Sequence, residues 1–433
     1  MSRQGPLVSV IWSSMALMSE TGRLRRVLVH EPGAEVEEMT PSTAQELLYN
    51  DIVPVESVRR EHRELHQVLR VFAEVVEVSA VLEDIAAKPT GTAILSAALS
   101  CNDPVSRDRL LERWHTASPR SIRDDCILGV TRDSIRLKDV YAVNRYLTPP
   151  LPNLYFTRDS AFVVHDRAYR SAMAGRVREA EAAIMAEVLS ALGETVDSEL
   201  AAGARLDGSV RLEGGDVLIL DENTLVIGVG ERTSPEGVDA LIESLVAGRD
   251  TPLTVVAVDL PRSRATIHLD MIATFIGPGE LLGYAPLLTG SQARKAFTIT
   301  APPGYGTSWT IREHESLPAA LADIGRPHTI IPCGGKRTIT QEREQWFSAC
   351  NSVAVGPQTV VVYKNNPRTL EVLNDSGYAV VTGGEVLERP GDFCSVDGQI
   401  RSGPTAIAVE GVELARGGGG PRCMTLPIER EPV

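Results

Sequence analysis

Beyond residue 150 the chain alternates short β-branched runs with helical stretches, and this restricts it to an α/β fold. The β-rich runs fall at 161–164, 217–220, 224–229, 253–257, 329–331, 359–363 and 378–381, with helical stretches at 178–192, 235–247 and 367–376. Earlier, 24–30 reads as a strand ended by Glu31-Pro32-Gly33. Residues 42–90 then turn helical: Glu61, His62, Glu64, Leu65, Val68, Leu69 and Phe72 recur at helix spacing, and helical character continues to about 145. There is a faint internal echo. Glu213-Gly-Gly-Asp-Val-Leu218 resembles Gly383-Gly-Glu-Val-Leu387, with Cys333-Gly-Gly335 as a third copy, which predicts repeated units with Gly-Gly leading into a strand.

A chain of 433 residues has room for two or three average domains or one large α/β unit. Hydrophobic residues make up 43% and the mean hydropathy is −0.03, as in a soluble globular protein with ample core. The net charge of −14 repels phosphate backbones and anionic lipid, so nucleic acid and membrane partners are not expected. The same charge attracts small cations. Six cysteines (Cys101, Cys126, Cys333, Cys350, Cys394, Cys423) are scattered with no CxxC or Cys/His cluster. That argues against zinc and for reduced thiols in a cytoplasmic protein. The apolar run at 7–18 is too short to span a membrane and lacks a cleavage site. Residues 1–18 are expected to be a dispensable, disordered extension, or to lie upstream of a true start at Met15 or Met18.

Several short segments have the residue types for chemistry. Arg416-Gly-Gly-Gly-Gly-Pro-Arg-Cys423 isolates one cysteine behind four glycines. It reads equally as a nucleophile on a mobile loop and as a flexible tail with an incidental thiol. Asn153-Leu-Tyr-Phe-Thr-Arg-Asp159 follows a proline-rich stretch and makes a rigid loop presenting a carboxylate, or a solvated turn. Glu213-Gly-Gly-Asp216 sets two carboxylates at the start of an apolar strand, pointing into a cleft or forming a plain turn. Thr266-Ile-His268-Leu-Asp270-Met-Ile alternates polar and apolar, which on a strand puts His268 and Asp270 on one face. Arg176 and Arg232 are candidate carboxylate clamps, because the guanidinium fork suits bidentate pairing. His62 and His66 lie i, i+4, but in neither zinc-protease order, and Gly228-Val-Gly230 lacks the third glycine of a dinucleotide fingerprint.

In their order these segments, with Glu20-Thr-Gly-Arg-Leu-Arg-Arg-Val-Leu-Val-His-Glu-Pro-Gly33, Glu46-Leu-Leu-Tyr-Asn-Asp-Ile52, Gly230-Glu-Arg-Thr233, Glu342-Arg-Glu-Gln-Trp346 and Arg422-Cys-Met424, resemble the arginine deiminases, a family of guanidine-modifying enzymes. The resemblance runs from about Glu20 to Glu431. It implies a five-bladed pseudo-symmetric α/β propeller of ββαβ-type units in one catalytic domain, 19–433, interrupted by a helical insertion at about 60–145. It implies Cys423 as nucleophile, His268 as general acid/base, and Glu213 as the carboxylate that orients it. Asp159 and Asp270 would hold the guanidinium. Asn153, Arg176 and Arg232 would hold the substrate's α-carboxylate, with Asp216 supporting them from behind. The implied reaction converts L-arginine to L-citrulline and ammonia through a covalent thiouronium. The alternative is amidino transfer, or hydrolysis of a modified arginine or other guanidino compound. The implied partners are a small-molecule substrate and water, without metal or organic cofactor, and homo-oligomerisation is left open. Whether Arg416 or Arg422 gates the pocket is also left open. The chain departs from the family pattern at Asn50, Ser160, 348–351 and Lys364-Asn365, in loops that shape the site rather than at the catalytic positions.

Overall fold

The computed structural model describes residues 17–41, 43, 44, 49, 51–100, 103–132, 137, 146–304, 308–401 and 403–433, without the side chains of 204–207. Most of the 1–18 extension, Asn50 and Cys101 therefore lie outside the described residues, as do parts of 42–50 and 133–145. Leu17 is already in the core, 1% exposed, and exchanges two backbone hydrogen bonds with His165.

The fold is mixed α/β, with five sheets of three to five strands and one two-stranded ribbon among the described residues. One plan recurs in the five larger sheets: an antiparallel pair, a helix, then a third strand parallel to the second. Ala161–Val164 pairs with Arg167–Arg170, and helix Glu179–Ala191 leads to Val196–Asp197. Val217–Asp221 pairs with Thr224–Val229, and helix Pro235–Val246 leads to Leu253–Asp259. Ala273–Gly277 pairs with Glu280–Gly283, and beyond helix Leu317–Asp323 comes Thr329–Pro332. Val353–Gly356 pairs with Thr359–Tyr363, and Thr405–Val409 lies parallel beyond helix Pro367–Asp375. The fifth sheet joins the two ends of the described chain. Leu24–Val29 pairs antiparallel with Leu426–Arg430 and, across helix Val55–Phe72, parallel with Glu74–Glu77.

Parallel strands cannot be joined by a tight turn, so each unit needs its crossover helix. Two of the strands, Thr359–Tyr363 and Thr405–Val409, are apolar without alternation and buried at every position. Capping starts the helices where the sequence allows it. Ser234 accepts the Gly237 N–H ahead of Pro235, whose missing donor costs nothing at a helix start. Helix Val55–Phe72 buries Val58, His62, Leu65, Val68, Leu69 and Phe72 along one stripe. Four further helices, Val78–Ala86, Gly91–Leu99, Pro104–Trp114 and Pro119–Leu128, precede the ribbon of Val130–Thr131 and Tyr146–Thr148. No helix among the described residues is long and apolar enough to cross a membrane.

The β-rich runs of the sequence match strands to within two residues, but 266–272 is not a strand. It forms two 3-10 turns, Arg264–Thr266 and Leu269–Met271, ahead of Ala273–Gly277. The reason is a contact remote in sequence: Asp216 Oδ1 accepts the Leu269 N–H at 2.8 Å, which withdraws that donor from any ladder. The Gly-Gly echo also fails as a strand signal. Thr382 and Glu385 form a capping box that makes Gly383–Glu388 a helix, and Gly334 and Gly335 follow a strand with φ of 68° and 75°. The repetition in this chain lies in strand pairing, not in these short motifs.

Candidate active site

The first strand of every unit is preceded by an irregular turn. Thr157–Ser160 carries Asp159 into Ala161–Val164. Glu213 and Gly214–Asp216 lead into Val217–Asp221. His268 and Leu269–Met271 lead into Ala273–Gly277. Residues 348–351, with Ser348 at φ 59°, lead into Val353–Gly356. The glycine segment ending at Cys423 leads into Leu426–Arg430. These turns meet, and the polar side chains they bring are almost all buried.

Cys423 is 4% exposed, with its Sγ 3.8 Å from Asp270 Oδ2. Its segment is neither a loose tail nor an open loop. Helix Val412–Gly417 stops at Gly418, left-handed at φ 104°. A Cβ on Gly420 would lie 2.6 Å from the Asn351 side chain, and one on Gly419 would lie 2.4 Å from the Phe156 ring. The glycines thus permit close packing of backbone on side chain. Tyr363 Oη donates to the Gly419 carbonyl at 3.1 Å, and the Arg158 N–H donates to the Cys423 carbonyl at 3.1 Å.

His268 is 1% exposed, with Nε2 2.8 Å from Glu213 Oε2 and Nδ1 3.6 Å from Asp159 Oδ1. Its ring lies on Gly215, where a Cβ would come within 2.6 Å. Arg232 stands 3.6 Å from Glu213 Oε1. Asp216 accepts from Thr233 Oγ1 at 2.6 Å and from the Leu269 N–H, so it fixes the turn that carries His268 and Asp270. Two of the chain's own guanidinium groups sit on the acids expected to hold substrate. Arg178 donates to Asp159 Oδ2 at 2.7 Å and to Glu181 at 2.6 Å. Arg422 donates to Asp270 Oδ2 at 2.9 Å and to Glu20 Oε1 at 2.9 Å. The other oxygens, Asp159 Oδ1 and Asp270 Oδ1, are buried acceptors without a hydrogen-bond partner.

These neighbours set the proton affinities. Burial would lower the His268 pKa, but Asp159 and the hydrogen-bonded Glu213 outweigh it and raise it to about 9. Burial opposes ionisation of Glu213, yet Arg232 and His268 bring it down to about 2. Burial raises Asp216 to about 7 and also raises Asp270, against the pull of Arg422. The Cys423 thiol is pushed well above its usual range, first by burial and then by Asp270 and Asp159. The site is an imidazolium cupped by acidic groups, in a cluster whose thiol is kept protonated first by burial and then by Asp270 and Asp159.

Cys423, His268, Glu213, Asp159, Asp270 and Asp216 therefore share one cluster, and Asn153 borders it, its carbonyl accepting from Arg178 at 3.2 Å. Arg176 is exposed, and the arginine on Asp159 is Arg178, two residues on. Arg416 is on the outside, paired with Asp51 and Glu413, whereas Arg422 is 1% exposed. Sequence reasoning missed Arg178, Glu181, Glu20 and Asn351. The i, i+3 spacing of Arg178 and Glu181 was a readable sign of an ion pair; the other two depend on contacts remote in sequence. Among the described residues no group of three or more His, Cys, Asp or Glu is placed to hold a metal ion. A cavity of about 760 Å³ lined by Arg167, Asp197, Glu243 and Ser244 includes none of the cluster.

Residues 45–430 match the family model described as arginine deiminase. The arginine deiminase of Latilactobacillus sakei subsp. sakei (strain 23K) is 30% identical over 443 residues, covering 97% of this chain and 98% of that one. That of Bacillus cereus (strain B4264) is 29% identical over 433 residues, covering 96% and 98%. Among solved structures, the N-terminal domain of ArgZ covalently bound to a reaction intermediate superposes with TM-score 0.51 at 17% identity, over 94% of this chain and 98% of that domain. Unliganded AgrE gives TM-score 0.52 at 18% identity, over 95% of this chain, which spans 40% of AgrE. At such identities these two describe the fold.

Proposed function

The chain belongs to the arginine deiminase family, and from that membership and the cluster's geometry we propose that it hydrolyses L-arginine to L-citrulline and ammonia with Cys423 as nucleophile. One observation carries the reading: a buried sulfur lies 3.8 Å from Asp270, in a cluster where Asp159 and Asp270 each keep one buried oxygen that accepts no hydrogen bond, Asp159 Oδ1 facing only His268 Nδ1 at 3.6 Å. Two such acceptors suit the N–H edges of a flat cation, and few neutral ligands would repay their burial.

Bound guanidinium neutralises the two acids, which removes the charges that, with burial, hold the Cys423 proton, and that proton passes to solvent water. The thiolate then attacks the guanidinium carbon, forming an S–C bond. The C–N bond breaks, and imidazolium His268 gives its proton to the departing ammonia. The neutral imidazole next takes a proton from water, whose oxygen attacks the same carbon. The S–C bond breaks, the added hydroxyl loses its proton to solvent as the ureido group of citrulline forms, and the thiolate is restored. Acid–base help of this kind is worth about 10²- to 10⁴-fold in rate. Glu213 orients His268 and keeps it charged.

For the amino-acid end we assign Asn153, Arg176 and Arg232. Arg232 is supported by its place beside Glu213 and its unpartnered Nε, and Arg176 by its exposure on the turn before Arg178. We further propose that the five ββαβ-type units are the blades of a pseudo-symmetric propeller in a single catalytic domain. In that arrangement Val55–Phe72 is a crossover helix, and the helical insertion begins after Glu77. Cytoplasmic residence fits the reduced thiols.

Incubation with arginine, followed by assays for citrulline and ammonia, tests the function. Equimolar release by the wild type, unchanged by an added amine acceptor and absent in a folded Cys423→Ala variant, is expected. Citrulline formation by Cys423→Ala at the wild-type rate refutes the assignment.

A further inference from the structure

Four of the five turns that lead into first strands bring Asp159, Glu213 with Asp216, His268 with Asp270, and Cys423. The fifth, 348–351, brings Asn351, which is 1% exposed. Its Oδ1 accepts from two successive backbone donors, the N–H of Arg422 at 3.0 Å and that of Cys423 at 3.1 Å. Its Nδ2 donates to Cys423 Sγ at 3.1 Å and to the Asp270 carbonyl at 3.4 Å. The amide has one sensible orientation, since a flipped group would set its own N–H against two backbone N–H groups.

The fold holds this amide still. Thr274 Oγ1 donates to the Cys350 carbonyl at 2.7 Å and lies 2.6 Å from Ser352 Oγ, clamping the residues on either side of Asn351. The Asn351 N–H closes a turn onto the Ser348 carbonyl at 3.0 Å, with Ser348 left-handed. Gly420 lies so close to the amide that no larger residue fits there.

We infer that Asn351 is a catalytic residue of this site: one end of its amide fixes the nucleophile's backbone and the other donates a hydrogen bond to the sulfur anion. This rests on the arginine-hydrolysing reading of the cluster. The groups around the sulfur are Asp270 and Asp159, which oppose its ionisation, and the Gly420 backbone N–H and Arg422, which favour it, with the buried phenols of Tyr155 and Tyr363 nearby. Against two carboxylates, the Asn351 N–H is a neutral donor in direct contact with the sulfur. Such a bond strengthens as charge develops on the acceptor.

The test is Asn351→Asp, which keeps an oxygen for the two backbone donors and removes the donor to sulfur. Alkylation of Cys423 by iodoacetamide is followed against pH by peptide mass spectrometry, beside kcat and KM for arginine and a thermal melt. A bond to a charged acceptor is worth roughly 10- to 100-fold, so the alkylation midpoint should rise by about 1–2 pH units, with kcat down by about that factor and KM little changed. Asn351→Ser, which loses the reach to sulfur without adding charge, should move the same way. An unmoved midpoint in whichever variant folds overturns the inference, as does a loss of activity traced wholly to unfolding. Alkylation needs no turnover. A wild type that releases no citrulline would sink the functional reading and leave the midpoint comparison to judge Asn351 separately.

Discussion

Replacing Glu213 by Gln removes a buried charge 2.8 Å from His268 Nε2 and leaves the shape of the site intact. The Gln oxygen retains the Ala174 N–H, which Glu213 Oε1 accepts at 2.9 Å. In the wild type His268 titrates at about 9, held there by Asp159 and Glu213 against the cost of burial. A buried hydrogen bond to a charged partner is worth about 1.5–3 kcal/mol, or about 1–2 pKa units. The variant's imidazole should therefore titrate at about 7–8, with Asp159 still raising it. At pH 8.5 the charged fraction falls from about three-quarters to between about 3% and 24%. Ring-labelled histidine NMR reads the midpoint directly, and turnover should drop more at pH 8.5 than at pH 6.5, where both forms stay largely protonated. An imidazole that still titrates at the wild-type midpoint in Glu213→Gln would refute the claim that this carboxylate maintains the general acid.

Arg422→Met strands Glu20 and Asp270 as buried charges, since Arg422 contacts both at 2.9 Å. Breaking such a pair costs about 3–5 kcal/mol, and for a chain of this size that lowers Tm by about 3–5 °C; an unchanged melt would remove Arg422 from the stability argument. His62 is 0% exposed with no hydrogen-bond partner on either ring nitrogen, and burial depresses its pKa to about 3. The unfolded chain takes that proton from about pH 6.5 downward and the native one does not, so stability is lost as the pH falls, by about 2 kcal/mol at pH 5. His62→Leu should accordingly stabilise more at pH 5 than at pH 7.5 in parallel melts, and equal gains at both would contradict the assignment. His30 works the other way. Glu35 and Glu77 raise it to about 10 against burial, so its contribution is complete below about pH 6.5 and fades as the pH rises toward 10. His30→Gln should therefore destabilise less at pH 9.5 than at pH 6.

The strands were legible because their burial is local and continuous: 217–220, 224–229 and 359–363 are apolar runs bounded by turn residues. The order of Asp159, Glu213, His268, Asp270 and Cys423 was legible as a family pattern. Their convergence was not, because it arises from four turns far apart in the chain. The alternation at 266–272 misled because Asp216, fifty-three residues from Leu269, takes the backbone donor that a strand would need. Asn351 was hidden for the same reason: its two backbone partners lie 71 and 72 residues away. The glycines before Cys423 suggested mobility. Their use is packing against Asn351, Phe156 and Tyr155, which only the folded chain reveals.

Acid-quenching the enzyme during turnover of arginine and weighing the Cys423 peptide tests the account most directly. The expected result is a transient gain on Cys423 equal to arginine less ammonia, absent with citrulline alone. Citrulline released at full rate, with the sulfur of Cys423 never leaving its unmodified mass, would contradict it.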